Sequence, residues 1–250
     1  MSGHSKWSSI KHKKAALDAK RGKLWSRVSR DITVAAKLGG GDPDSNPRLR
    51  LAMDKAKSAN MPKENVDRAI KKGTGELEGV DYEECLYEGY SPGGVAVMCT
   101  ALTDNRARTG PEIKKIFERA GGNLGAANSV AWMFSPKGII VVGADEADED
   151  QVMEAALEAG ADDVTVSGIC YEITCEPDDF LEVKEAVSHA GIPIQSSEVT
   201  MVAASTVAVD LEDARKVMRL LDALEEHDDA QSVSCNVDIP DEIVSQLQAE

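Results

Sequence analysis

The first third of the chain carries apolar residues at helical spacing. One stripe repeats every three or four positions and contains Leu24, Val28, Ile32 and Ala35. Trp25 lies at the edge of this stripe, and three glycines follow it at 39–41. Such a stripe predicts an amphipathic helix, and glycine is typical of a helix end. We therefore predict a first helix that stops near Gly39.

Two shorter helices are predicted from their start and stop signals. Asn46 and Pro47 suit an N-cap and a first helical position, and the next helix begins at Pro62 and ends at Gly73. Each of the two helices has a pair of apolar residues four positions apart. Three short amphipathic helices can share one small core.

The pattern changes after an acidic, glycine-containing segment, "ELEGVDYEE", which predicts a linker. "CLYEGY" and "GVAVMCTAL" predict two strands joined by the turn "SPGG", and "VAWMF" predicts a third strand. Between them "TGPEIKKIFERAGG" predicts a helix, in which Thr109 and Glu112 have the spacing of a capping box. This piece has the order strand, strand, helix, strand.

Residues 137–204 have the order strand, helix, strand, strand, helix, strand, which is that of a ferredoxin-like unit. A short strand, a helix and a last strand follow, and they supply what the earlier piece lacks. We therefore predict an α+β chain of three domains, an N-terminal three-helix domain followed by two ferredoxin-like α/β sandwiches, one inserted in the other. The predicted boundaries are 1–78, 79–135 plus 205–250, and 136–204.

Charge divides the chain in the same place. The whole sequence has 28 Lys and Arg against 44 Asp and Glu, a net charge of −16, yet residues 1–75 hold 18 of these cations and 7 of these anions. The first part is therefore net +11 and the remainder net −27. A basic segment favours a polyphosphate partner, whereas an acidic one repels it. We expect the acidic part to face away from nucleic acid or to meet basic protein.

The basic residues define a candidate nucleic-acid site. On a helical wheel, several cations of the first helix fall opposite its apolar stripe, and an arm with the run "KHKK" precedes them. Trp7 could stack on an unpaired base or pack on the helical domain. The candidate contacts, with a smaller cluster near Thr109, are Lys6, Trp7, Lys11, His12, Lys13, Lys14, Lys20, Arg21, Lys23, Arg27, Arg30, Arg106 and Arg108. The last two could hold an anion or pair with the protein's own carboxylates.

No residue pattern indicates catalysis, a metal site or a cofactor. The acidic run 145–150 lies at a predicted helix start, where carboxylates are favourable without a metal. The glycines of "AGGNLG" lack the Lys-Ser/Thr continuation of a phosphate loop. Five cysteines without a CxxC pair indicate buried thiols in a reducing compartment. With no apolar span or secretory leader in view, we expect a cytoplasmic protein that is not an enzyme.

Long stretches of the chain resemble one family. "GHSKW", "IKHKKAALDAKRGKLWSR", "NPRLR", "NMPK", "RAIKKG", "YEGY", "TDNR", "WMF" and "KG" follow one another in the order seen in the YebC/PmpR family. The chain departs from it at Ala127-Asn128, where a small residue followed by glycine is expected. The resemblance implies three domains, a helical one followed by two α/β ones. It also implies a DNA-binding transcriptional regulator, while the family's mitochondrial relatives imply translational activation.

Two functions therefore stand beside each other. The first is a non-enzymatic, DNA-binding regulator of transcription. The second is a ribosome-associated RNA-binding factor that helps elongation through proline-rich stretches. No helix-turn-helix with base-reading side chains is evident, and a phosphate-reaching arm suits structured RNA or duplex DNA equally well. An enzyme or small-molecule sensor would need a site that the sequence does not display.

Overall fold

The computed structural model describes residues 17–167 and 170–249. Its N-terminal part contains three helices, α1 (Leu17–Gly39), α2 (Pro47–Ser58) and α3 (Lys63–Gly73). Asn46 is the N-cap of α2 as predicted, since its side-chain oxygen accepts a hydrogen bond from the Leu49 amide at 3.0 Å. The same carboxamide donates to the carbonyls of Ala35 and Gly40, both at 2.8 Å. One side chain therefore caps α2 and holds the end of α1 beside it.

The core of this helical module agrees with the predicted stripe except at one end. The buried apolar residues are Val28, Ile32, Ala35, Leu49, Ala52, Ala56, Val66 and Ala69. Leu24, predicted to belong to the stripe, is 46% exposed. The buried part of the stripe therefore begins one turn later along α1, at Val28. Helices α1 and α3 approach closely at Gly73, where an added Cβ would lie 2.4 Å from the Thr33 carbonyl.

A second module begins with a hairpin. Its first half consists of β1 (Glu83–Tyr90), β2 (Ala96–Thr103), α4 (Arg106–Arg119) and β3 (Asn123–Leu124). Helix α4 starts earlier than predicted, because Asn105 accepts the Arg108 amide and acts as the N-cap. The expected capping box at Thr109 and Glu112 is wrong, since Thr109 lies inside the helix and its hydroxyl is buried. The short β3 strand was not predicted.

The following segment forms the predicted strand-helix-strand-strand-helix-strand unit. Its elements are β4 (Phe134–Gly143), α5 (Glu149–Glu158), β5 (Asp163–Ser167), β6 (Cys170–Cys175), α6 (Phe180–His189) and β7 (Ile194–Ala203). The strand order is β5-β6-β4-β7 and neighbouring strands are antiparallel, the ferredoxin-like arrangement. Both helices pack on one face of the sheet over a core that includes Ile140, Val152, Ile173 and Val183.

The rest of the chain returns to the second module. It forms β8 (Val207–Ala208), α7 (Leu211–Glu225), β9 (Ala230–Cys235), β10 (Val237–Asp238) and α8 (Asp241–Ala249). Strand β9 pairs with β2, so the four-stranded antiparallel sheet has the order β3-β1-β2-β9. Helices α4 and α7 share one core on this sheet, in which Phe117 and Leu220 are fully buried. The mixed helix-and-sheet class is confirmed; the final helix, α8, was not predicted.

The two sheets join through the strands that enter and leave the inserted unit. β4 and β7 pair from Phe134 opposite Ala203 to Val142 opposite Ile194. Phe134 also packs with Met98 of β2 in a buried cluster on the outer face of the first sheet. The inserted unit is thus attached through a hydrogen-bonded pair of strands rather than through loose linkers.

The segment "VAWMF" is not a strand, which corrects the prediction. Residues 131–133 form a 3₁₀ turn, and only Phe134 begins β4. The buried carboxylate of Glu88 accepts hydrogen bonds from the amides of Asn128, Val130 and Ala131 at 2.7–2.8 Å. Burial raises the pKa of Glu88, but these three backbone donors outweigh it and the pKa is lowered. A carboxylate on β1 therefore determines the conformation of this loop.

Asn128 occupies the loop position where the related sequences are expected to have glycine. Its φ is +63°, in the left-handed region that glycine adopts freely and that asparagine tolerates better than most residues. The departure from the family pattern therefore preserves the backbone conformation.

The five cysteines Cys85, Cys99, Cys170, Cys175 and Cys235 are buried free thiols. Cys170 and Cys175 are five positions apart on β6 and belong to different hydrophobic clusters, as expected for residues on opposite faces of a strand. Burial raises the pKa of the Cys99 thiol to about 12, so it stays protonated at neutral pH. In the described ranges, no helix is long and apolar enough to cross a membrane.

Candidate nucleic-acid interface

The basic face of α1 docks against the end of α7. Lys23 donates to the Glu226 carbonyl and lies 3.3 Å from the Asp228 carboxylate. Arg27 donates to the Glu225 carbonyl and, at 3.2 Å, to the His227 carbonyl. The predicted cationic face exists, but in this structure its middle part is directed at the protein's own backbone.

Arg30 completes this docking. It donates to the Asp228 carbonyl, lies 3.6 Å from the carboxylate of Asp229, and stands 5.7 Å from the centre of the Tyr82 ring. The last carbonyls of a helix lack intrahelical partners and carry partial negative charge. Since α7 has no basic residue in its last turn, Arg27 supplies a donor to its last carbonyl, that of Glu225, and Lys23 supplies one to the C-cap carbonyl of Glu226.

Arg27 is partly buried at this junction. Burial lowers the pKa of its guanidinium against the opposing effect of Glu225, and its Nε has no hydrogen-bond partner within the described part of the chain. We conclude that Arg27 has a structural role at the junction of α1 and α7.

The other predicted contacts of the first helix and arm divide into two groups. Six lie outside the described residues: Lys6, Trp7, Lys11, His12, Lys13 and Lys14. Lys20 and Arg21 lie on the first turn of α1, for which only the backbone is described. The role of both groups in binding remains a prediction. Lys37, at the other end of the helix and not among the candidate contacts, is half-exposed and lies 2.7 Å from Asp81.

Arg106 and Arg108 both lie in the first turn of α4 rather than before it. Arg106 is exposed and has no ion pair within the described residues. Arg108 donates to Asp104 at 3.0 Å and to Asp229 at 2.7 Å. Arg108 therefore pairs with the protein's own carboxylates, which was one of the two alternatives for these arginines. Arg106 stays available to bind an anion.

Several cations on the other two helices of the module lack an ion-pair partner among the described residues. Lys57 at the end of α2, and four residues of α3, are exposed and form no ion pair with any described residue; the four are Lys63, Arg68, Lys71 and Lys72. The sequence analysis missed this group, although α3 has the highest fraction of Lys and Arg of the three helices, four of its 11 residues. The available signal was its "RAIKK" run.

Arg68 and Lys72 border a cleft between α1 and α3 with a volume of about 440 Å³. From α3 the cleft is lined by positions 65, 68, 69 and 72, and from α1 by 22, 25, 26, 29, 30 and 33. Both sets follow the i, i+3, i+4, i+7 spacing of a single helix face. Two aromatic side chains, Trp25 and Tyr82, also line it. The cleft thus combines cations, aromatic rings and small polar side chains.

The wall of this cleft opposite the helices comes from the segment predicted as a linker. Thr74 and Gly75 close the end of α3, and the Leu77 amide then donates to the Lys71 carbonyl at 3.1 Å. Gly79 lies against the side chain of Lys72. The chain therefore turns back along α3 before entering β1, which brings Val80 and Tyr82 to the cleft.

An acidic cleft of about 570 Å³ lies on the other side of the Arg30 and Tyr82 pair, which lines both clefts. Its remaining residues include Glu112, Glu226, Asp228 and Asp229, and His227 lies 3.0 Å from Glu112. Phosphate is repelled by such a surface. Among the described residues, no three His, Cys, Asp or Glu side chains are placed to hold a metal ion.

Comparisons with known proteins cover almost the whole sequence. Residues 5–76 match the family model described as "TACO1/YebC protein N-terminal domain", and residues 82–237 match "TACO1/YebC second and third domain". A crystal structure of a conserved hypothetical protein from Aquifex aeolicus is similar with a TM-score of 0.81 and 52% identity, over 92% of this chain and 96% of that one.

Relatives with curated names are also similar over their full length. One from Desulforapulum autotrophicum is 57% identical over 97% of this chain and 98% of its own. One from Geobacter sulfurreducens is 53% identical over 99% and 100%. Both are named probable transcriptional regulatory proteins. On these matches, the chain belongs to the TACO1/YebC family.

Proposed function

We propose that this chain is a non-enzymatic regulator of gene expression that binds the phosphates of a nucleic acid through its N-terminal module. The observation that carries the proposal is the group of unpaired cations on α3, namely Lys63, Arg68, Lys71 and Lys72. Cations without an intramolecular partner can release counterions from a phosphate backbone on binding.

The distribution of charge supports this orientation. The basic arm precedes the same module in the sequence, whereas the remainder of the chain is net −27. An acidic body directs the module toward a polyanion by repelling it elsewhere. The names of the relatives, probable transcriptional regulatory proteins, favour DNA as the polymer.

A ribosome-associated role, in which the module binds RNA and helps elongation through proline-rich stretches, is the second candidate. It is favoured by Trp25 and Tyr82 in the cleft beside the cations. Aromatic side chains near cations suit the unstacked bases that structured RNA displays in loops and bulges.

The two candidates are separated by two binding measurements on the full chain at about 150 mM salt, where weak electrostatic binding is reduced. Mobility shift with promoter DNA tests the first, and co-sedimentation with ribosomes tests the second. Binding to a promoter sequence without ribosome association would exclude the translational role, and the reverse result would exclude the transcriptional one.

The contact surface is tested by charge-removing variants. Replacing Lys63, Lys71 and Lys72 by glutamine should weaken binding to either polymer and lower the slope of log K against log salt by up to about 3. The arm variant with Lys11, Lys13 and Lys14 replaced by alanine should do the same. A matched control removes three exposed cations outside the module, Lys115, Arg119 and Arg219. Equal effects of the control and the α3 variant would contradict the assignment.

A further inference from the structure

We propose that the cleft between α1 and α3 binds one unpaired nucleotide of a single-stranded segment, with its base against the aromatic side chains and its phosphate on Arg68 and Lys72. This inference deepens the proposed function and rests on it. It concerns which form of nucleic acid the module prefers.

The volume of the cleft suits such a unit. Its 440 Å³ falls within the range of about 300–1,000 Å³ typical of clefts that bind small ligands. A duplex cannot place a base in it, because paired bases are stacked inside the helix; a base must first be unpaired. The shape of the cleft therefore favours single-stranded over double-stranded nucleic acid.

The aromatic surfaces are held in place before any ligand arrives. The indole of Trp25 donates to the Ala59 carbonyl at 3.0 Å, at the end of α2. The Tyr82 ring is half-buried and has the Arg30 guanidinium 5.7 Å from its centre. Rings with restricted freedom lose little entropy when a base stacks on them. Stacking accepts any base, because every base has a π face.

The polar groups of the cleft have unused hydrogen-bonding capacity. The Asn65 carboxamide and the Ser29 hydroxyl line it, and neither side chain has a hydrogen-bond partner among residues 17–167 and 170–249. A carboxamide can donate and accept at once, which matches the edge of a base. Asn65, Arg68 and Lys72 lie along one face of α3 over a rise of about 10 Å. A base and its neighbouring phosphate can be contacted together along this distance.

The charge arrangement fixes the direction of entry. Arg68 and Lys72 are exposed at the basic cleft, whereas the surface beyond the Arg30 and Tyr82 pair is acidic. A phosphate is therefore attracted to the α3 side and repelled from the other. The strand would lie along α3 with one base turned inward.

The test uses the full chain with Trp7 and Trp132 replaced by phenylalanine, so that Trp25 is the sole tryptophan and reports on the cleft. Three probes are added: an RNA octamer of alternating adenosine and cytidine, the same octamer annealed to its complement, and adenosine monophosphate. We expect the single strand to quench Trp25 emission and to bind more tightly than the duplex. The monophosphate should quench only at much higher concentration and be displaced by the octamer.

Tyr82→Leu should weaken binding of the single strand by about 5- to 100-fold and leave duplex binding within twofold, because only the stacked base is lost. Tyr82→Phe keeps the ring and should bind like the parent. Trp132→Leu in the parent chain, at an aromatic residue that is 76% exposed outside the cleft, is the matched control and should change neither affinity. Arg68→Gln should weaken both forms.

The outcomes distinguish the two levels of the proposal. If neither RNA nor promoter DNA binds at any salt concentration, the proposed function fails. If promoter DNA binds but neither RNA does, this inference alone is overturned. If both RNAs bind but Trp25 emission is unchanged and Tyr82→Leu leaves the ratio of the two affinities intact, this inference alone is overturned. Tighter binding of the monophosphate than of the octamer would overturn the polymer as the source of the nucleotide. Thermal unfolding of each variant verifies that the folded state is retained.

Discussion

The Arg108 guanidinium and the Asp229 carboxylate lie 2.7 Å apart and join the first turn of α4 to the loop after α7. Asp229 is buried and also accepts from the Thr109 hydroxyl at 2.7 Å. At this end, the two helices that cover the first sheet are therefore connected through the Asp229 carboxylate, beside the contact between His227 and Glu112.

Replacing Asp229 by alanine should lower the free energy of unfolding by about 1–3 kcal/mol, since it removes the buried acceptor of the Arg108 guanidinium and of the buried Thr109 hydroxyl. Urea unfolding at neutral pH measures this as a lower midpoint with an unchanged slope. The control is Asp104→Ala, which removes the half-exposed partner of the same arginine and should cost less than about 1 kcal/mol. Equal losses in the two variants would contradict the role given to Asp229.

Stability should fall in acid because of two buried carboxylates. Burial alone would raise the pKa of Asp229, but hydrogen bonds from Thr109, Arg108 and Thr103 outweigh it and lower the pKa. The pKa of Glu88 is lowered in the same way by backbone amides. A carboxyl group whose pKa is lower in the folded than in the unfolded protein stabilises the folded state fully at pH values above its unfolded-state pKa, near 4. This stabilisation is lost as the pH falls through the folded-state pKa.

Glu88→Gln isolates one part of this pH dependence. The variant should be less stable than the parent at pH 7. The difference should shrink as pH falls below the ordinary glutamate value near 4, because the parent then progressively loses the contribution of the Glu88 carboxylate. Free energies of unfolding in urea at several pH values measure this convergence. A difference that stayed constant with pH would show that the charge of Glu88 is not what orders the 128–131 loop.

Arg27→Met should weaken the docking of α1 on α7 by about 1–3 kcal/mol. It keeps the aliphatic stem but removes donors to the carbonyls of Glu225 and His227. Urea unfolding gives the loss, and hydrogen exchange of the α1 amides shows whether this helix opens first. Lys37→Met on the same helix removes a half-exposed ion pair and is the comparison. If both substitutions changed stability alike, the docking would not depend on Arg27.

The left-handed backbone at position 128 gives a further prediction. Asn128→Gly should leave the free energy of unfolding within about 0.5 kcal/mol of the parent, whereas Asn128→Val should lower it by about 1–2 kcal/mol. Both variants keep the backbone amide at position 128 that donates a hydrogen bond to Glu88, so the comparison isolates backbone strain. Thermal and urea unfolding serve as the measurements; a valine variant as stable as the glycine variant would refute the strain.

Local chemistry predicted most of the elements. Asn46 and Pro47 defined a helix start, and the alternation of strand and helix patterns defined the inserted unit. The failures occurred where a distant residue decides the conformation. "VAWMF" has the composition of a strand, yet the carboxylate of Glu88, some forty residues earlier, binds its amides and bends it into a turn.

The sequence predicted that the candidate site is positively charged, but it did not predict which residues form it. The charge of residues 1–75 indicated a basic module, and the wheel placed Lys23, Arg27 and Arg30 on one face. Their partners lie about 200 residues away in the loop after α7, and no local pattern reveals such a pairing. Within the N-terminal module, the cations that form no ion pair with a described residue are instead Lys57 of α2 and the four of α3. The cleft beside α3 depends on how the segment predicted as a linker folds back along that helix.

The paired strands β4 and β7 have a consequence for how this chain can be divided. Because Phe134 lies opposite Ala203, the chain enters and leaves the inserted unit at one place. Removing the segment between them would leave two ends that are already neighbours, and the excised piece would likewise have adjacent termini. The inserted unit could therefore be exchanged between relatives without altering the path of the sheet that carries it.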